Sequence, residues 1–258
     1  MFNSSNNPFF KNKSFKGENT AEEGLIHEST FIDYNETMTI SGTINKSVFM
    51  LLGLVATAMV TFFLVATGVL NPYLPLIGGG IIGFILVLVV SFKPQYSAWI
   101  APGYAIFEGL FLGAVTIIFE LMYPGIALQA VGATMVTFLV CFGLYRFKVI
   151  KVTEKFKSVV IAATFGIFIY YMLSWVLTFF IDFQPVHRGN SLMSIGISVF
   201  VIVIAALNLF LDFDMIEKGA EQRHPKYMEW FGAMGLMITL VWLYVEFLRL
   251  FSKLASRD

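Results

Sequence analysis

Seven stretches of predominantly apolar residues decide what this chain can fold into. They lie near 47–69, 74–92, 97–122, 126–146, 158–181, 191–215 and 229–252. A helix of about 20 such residues crosses the ~30 Å hydrocarbon layer of a bilayer. A soluble core helix would carry a polar face along its length, and these runs do not. The chain's 57% hydrophobic and 13% charged residues stand against about 25% charged in an ordinary soluble domain. The expected fold is an all-α membrane protein, a bundle of seven transmembrane helices.

Turn residues mark the joints: Asn71-Pro72, Lys93-Pro94, Pro124-Gly125, the basic run from Arg146 to Lys157, and Gln184-Pro185 with Arg188-Gly189. Within the runs, small residues recur as Gly78-Gly79-Gly80, Gly109 with Gly113, and Gly232 with Gly235. In lipid such positions let helices approach closely. Residues 1–45 are rich in Asn, Ser, Thr, Lys and Glu and bury too little apolar surface to order themselves, so a disordered polar tail is expected there. The first 20 residues contain no continuous apolar core of a signal peptide. The single Cys141 sits in an apolar run and is expected to be a small buried hydrophobe.

With the N-terminus in the cytoplasm, only Arg188, Arg249, Lys253 and Arg257 of the 17 Lys and Arg residues fall outside. That asymmetry favours a multi-pass protein with its N-terminus inside. The basic C-terminus opposes it for the last segment, which either crosses or is re-entrant. Zero formal net charge gives no argument for nucleic-acid binding. The chain lacks HExxH, GxSxG, a P-loop and a metal-spaced Cys/His cluster, so no enzyme and no bound cofactor are expected.

Carboxylates inside apolar runs are the candidate functional residues, because a charge in lipid costs several kcal/mol and is kept for a reason. Asp212 and Asp214 are about 200° apart on a helix and face different partners. Asn208, one turn before Asp212, makes Asp212 the better candidate for an inward polar strip. Glu246 lies in LYVEFLRLF, with Arg249 three residues on as a possible neutralising partner. Glu108 sits about 16 Å into the third segment, near the midplane. Paired carboxylates share a proton and change charge nearer neutral pH than a lone one, and when ionised they offer hard oxygen ligands to Ca²⁺. An aspartate of the sixth segment with Glu246 would supply such a pair.

FEGLFLGA in the third segment, LFLDFDMIEKG ending the sixth and WLYVEFLRLF in the last resemble the transmembrane Bax-inhibitor-motif family, closest to bacterial YccA/YetJ-like members. The resemblance covers about residues 47–254 and implies a seven-helix bundle with the last helix central, in a bacterial cytoplasmic (inner) membrane. It also implies a pH-sensitive Ca²⁺ leak governed by two aspartates on the last two helices. Carried over, the first matches Asp212 through the D-x-x-x-I run, or Asp214 after a shift of two. The second matches Glu246, with Glu in place of Asp, and Lys93 loosely matches a basic residue that ends the second helix. The expected gate and sensor are therefore Asp212, Glu246 and Asp214, with Asp212 and Glu246 as Ca²⁺ ligands. Glu108, Asn208, Lys93 and Arg249 lie along the path or latch it. The permeant species would be Ca²⁺ and protons. Rival readings are a regulator that binds a membrane protease or a stress-response partner through its tail, and a proton-coupled transporter of a small solute.

Overall fold

The computed structural model describes residues 37–181, 185–187 and 189–257, all within a unit that starts at Tyr34. Most of the expected N-terminal tail thus lies outside the described residues, as does Arg188. Seven helices follow: α1 (Ile40–Ala66), α2 (Tyr73–Phe92), α3 (Ser97–Met122), α4 (Ile126–Arg146), α5 (Glu154–Phe180), α6 (Leu192–Glu221) and α7 (Met228–Ala255). Each is long and apolar enough to cross a membrane. Among the described residues the only β pairing is an isolated bridge between Thr37 and Pro225.

Local chemistry explains most of the helix starts. The side chains of Thr39, Thr153 and Ser191 accept hydrogen bonds from the backbone N–H groups of Gly42, Phe156 and Ser194, closing donors that a helix start leaves open. The N-cap of α4 is Gly125 at φ 88°, where a side chain is disfavoured. Its cap is Glu120, whose carboxylate accepts from Gly125 N at 2.6 Å and Ala127 N at 3.0 Å. Pro94 stops α2, because it constrains the residue before it away from helical geometry; Lys93 there has φ −135° and ψ 72°.

The last helix is central, as expected. Of its most apolar window 67% is buried, against 17–44% for the other six. It packs against α1, α3, α4 and α6 and runs unbroken for 28 residues, about 42 Å at 1.5 Å per residue. That continuous path removes the re-entrant alternative. Glycines set the closest contacts elsewhere. A methyl group on Gly109 would lie 2.6 Å from the Leu54 carbonyl oxygen, and one on Gly113 2.7 Å from Thr61 Cβ, so α3 meets α1 nearly backbone to backbone. Gly79 meets Phe107 and Phe111 of α3 in the same way, while Gly78 faces open space. Cys141 is buried with its Sγ 3.7 Å from the Ala206 carbonyl.

Three helices are longer than the hydropathy runs suggest. α1 starts at Ile40 rather than 47, α5 at Glu154 rather than 158, and α6 ends at Glu221 rather than 215. The extra turns carry charges such as Lys46 and Lys157 that pair with buried carboxylates, so apolar counting stops short of them.

Candidate functional site

α6 and α7 run side by side, and the seam between them holds the best placed of the candidate carboxylates. Asp212 is half-buried as a residue, yet its Oδ2 is sealed from solvent and has no hydrogen-bond partner. The Thr239 hydroxyl on α7, which donates to Gly235 O at 3.4 Å, lies beside the carboxylate, and Oδ1 lies 3.7 Å from where a methyl on Gly235 would sit. Met215 closes the same spot, its Cε 3.6 Å from that methyl position. Gly235 thus borders the carboxylate, and a methyl there would meet it at ordinary contact distance.

Glu246 is not its partner. Asp212 precedes the end of α6 by nine residues and Glu246 follows the start of α7 by 18, so the two sit about 13 Å apart in level along antiparallel helices. On α7 it is Thr239, two turns before Glu246, that faces Asp212. The expected carboxylate pair is corrected accordingly: the sequence motif around Glu246 carries an acidic residue, but the helical register places it elsewhere. The same separation means that Asp212 and Glu246 do not form a joint Ca²⁺ site. Among the described residues no three Asp, Glu, His or Cys side chains gather as a metal-binding group.

Glu246 instead belongs to the far end of the bundle. It is 1% exposed. Its Oε1 accepts from Arg249 Nη1 at 2.9 Å and from the Tyr171 hydroxyl at 3.5 Å, and the Arg249 guanidinium stands over the Tyr171 ring. Oε2 is buried without a partner. The pairing of Glu246 with Arg249 noted from their spacing is thus present and ties α7 to α5. One turn further on, Lys253 donates to Ser194 O at 3.1 Å and Ser198 Oγ at 2.7 Å on α6.

The remaining candidates disperse. Asp214 is buried between two ammonium groups, Lys157 on α5 and Lys218 on its own helix, each at 2.9 Å. It is charge-compensated and points away from the α6–α7 seam. Asn208 donates to Thr164 Oγ1 on α5 and to Ile204 O, both at 2.8 Å; it pins α5 to α6 rather than extending a polar strip from Asp212. Glu108 turns toward α2, where a methyl on Gly83 would come within 2.7 Å of its Oε2. Lys93 is exposed just beyond α2 and makes no ion pair among the described residues, so the expected latch from the second helix is not formed.

Glu229, at the start of α7, went unnoticed in the sequence. It is 0% exposed. Its carboxylate accepts from Thr39 N at 2.9 Å and Thr39 Oγ1 at 2.8 Å, and pairs with Lys46 and, at 3.0 Å, with Lys226. The available signal was its place in the first turn of an apolar helix, with Lys226 three residues before it. Nothing in the pattern pointed to Thr39 or Lys46, which are more than 180 residues away.

A family model described as Bax inhibitor 1 like matches residues 7–256, nearly the whole chain. No curated protein matches it.

Proposed function

The chain belongs to the Bax inhibitor 1 like family, and from that premise we propose that it is a pH-sensitive, Ca²⁺-permeable leak with Asp212 as its proton- and ion-binding group. The observation that carries this reading is the Asp212 Oδ2, buried in the α6–α7 seam with no hydrogen-bond partner. An ionised carboxylate in that position lacks the compensation that Asp214 has, and a buried uncompensated charge is costly. It lowers its energy by taking up either a proton or a cation. The two compete for the same oxygens, so lowering the pH displaces the cation and closes the path.

Ca²⁺ takes about 6–8 oxygen ligands. The seam offers the two oxygens of Asp212 and the Thr239 hydroxyl, so the ion keeps most of its water. Weak binding of this kind suits passage, since an ion that binds tightly does not leave. Glu246, held by Arg249 and Tyr171, ties helices together and takes no part in the gate. The excess of Lys and Arg on the N-terminal side of the bundle supports an N-terminus in the cytoplasm.

Ca²⁺ entry into dye-loaded proteoliposomes tests the reading. Wild-type protein should admit Ca²⁺ at neutral pH, and Asp212→Asn should lose most of that flux. Flux no greater than that of empty liposomes overturns the reading. Acceleration of labelled-solute uptake by unlabelled solute on the opposite side would replace the leak with a carrier.

A further inference from the structure

The seam below Asp212 is closed at one end by a residue that belongs to neither α6 nor α7. Before α1, the backbone of Thr37–Thr39 lies across the turn that joins those two helices. Met38 N donates to His224 O at 2.7 Å, Thr37 pairs with Pro225, and Thr39 is held twice by Glu229. Between these ties the Met38 side chain points inward and is 3% exposed.

Two glycines receive it. A methyl on Gly219 would lie 2.7 Å from Met38 Sδ, and one on Gly232 would lie 3.6 Å from Met38 Cε. Gly219 is seven residues after Asp212, two turns along the same face of α6 and about 10 Å away. Gly232 is one turn before Gly235, which borders the carboxylate. Ile216, buried and 3.2 Å from a methyl on Gly232, fills the level between. From the turn end of the bundle inward, the seam therefore reads Met38, Ile216, Asp212. Of the apolar side chains that shut Asp212 off, Met215 and Ile216 belong to α6 itself, and Met38 rides on a segment outside both α6 and α7.

We propose that Thr37–Thr39 is a strap and Met38 a plug, which together close the α6–α7 seam and keep water and ions on that side from Asp212. The thioether suits the role, because Met is unbranched and fills irregular gaps without demanding one fit. The anchors suit it as well: Met38 N bonds the α6–α7 turn at His224 O, and Thr39 bonds Glu229. Release breaks those bonds and uncovers the buried Met38 side chain, while α1 keeps its packing against α3 through Gly109 and Gly113. The inference rests on Asp212 as the site, but its test measures access and not flux, so it can fail while the leak reading stands, and the reverse.

The test places a thiol beside Asp212 and asks whether water-borne reagent reaches it. Gly235→Cys suits, since its added Cβ meets only ordinary contacts at 3.6 and 3.7 Å, one of them to the Asp212 carboxylate. Cys141, left in place and buried, reports general loosening of the bundle. A membrane-impermeant thiol reagent is applied to proteoliposomes from each side, and the labelled positions are identified by peptide mass. With Met38 present, Cys at 235 should label slowly. Met38→Ala should raise its rate by about tenfold or more from one side, since a closed two-state element opens only ~0.1–10% of the time. Met38→Leu, which conserves volume, should keep it slow, and Thr39→Ala, which loosens the strap without touching the plug, should give an intermediate rate. An unchanged rate in Met38→Ala and Thr39→Ala overturns the proposal. So does a rise matched by Cys141, which would mean that the whole bundle has loosened.

Discussion

Removing the Glu229 carboxylate should be among the most damaging single truncations at the turn end of the bundle. In Glu229→Ala, the Lys46 ammonium loses its partner where its side chain is only 18% exposed. Both donors of Thr39 are orphaned as well. Breaking a buried ion pair from one side costs about 3–5 kcal/mol. The Lys226 contact adds little, because that side chain is 46% exposed and turns into water, where such pairs are worth about 0–1 kcal/mol. The Thr39 bonds belong to the same network and are not added separately, so the expected loss is about 3–5 kcal/mol. Glu229→Gln keeps the shape and one acceptor, and should lose roughly 1.5–3 kcal/mol, the scale of a charged hydrogen bond. The assay is reversible unfolding in mixed micelles of rising denaturing-detergent fraction, followed by helix content. A double-mutant cycle with Lys46→Met should show coupling of at least about 1 kcal/mol. A Glu229→Ala loss below about 1 kcal/mol, with no coupling, would refute the reasoning, because the carboxylate would then be no better placed than a surface ion pair.

Asp214→Asn should cost about 1–3 kcal/mol in the same assay, since it leaves Lys157 and Lys218 without their shared carboxylate, yet leave Ca²⁺ flux within about twofold of wild type. Gly109→Ala should destabilise by about 1–3 kcal/mol, because the new methyl runs into the α1 backbone at Leu54 and into Thr57. The same change at Gly78, which meets nothing within 4 Å, should be neutral or slightly stabilising, and equal losses at both positions would contradict the packing argument. Glu246→Gln should weaken the Arg249 and Tyr171 contacts and lower stability by about 1–3 kcal/mol; its pH profile of flux should match that of wild type.

Some of this was legible in the amino-acid order and some was not, for identifiable reasons. Uninterrupted apolar runs select spanning helices, so the number and order of helices could be read directly. Helix ends could not, wherever a charge is neutralised inside the bundle. Lys46, Lys157 and Glu229 look like the solvated edges of spans, whereas the structure makes them parts of buried or half-buried ion pairs that join α1 to α7 and α5 to α6. That Asp212 and Asp214 face different surroundings could be read from the 200° between them, but the polar strip from Asn208 that singled out Asp212 is not formed, because Asn208 turns to Thr164 on α5. The partner of Asp212 could not be read. A motif match drew attention to the one acidic residue in the middle of α7, while the residue that faces Asp212 is Thr239, whose single hydroxyl leaves no mark in a hydropathy or charge pattern. Register between two helices depends on the turn that joins them, here residues 222–227, and on the Gly235 contact, and neither announces itself in sequence.

The central claim is that Asp212 alone, without Glu246, sets the pH response. The most direct measurement is the logarithm of the initial Ca²⁺ flux against pH between about 5 and 8, in proteoliposomes carrying wild type, Asp212→Asn or Glu246→Gln. One proton competing with the cation at one carboxylate gives flux that rises with pH with a limiting slope of one. Wild type and Glu246→Gln should trace that curve together, and Asp212→Asn should be low and flat. A wild-type slope near two, or a flattened profile in Glu246→Gln with Asp212→Asn still pH-dependent, would contradict the account and restore a coupled pair of carboxylates.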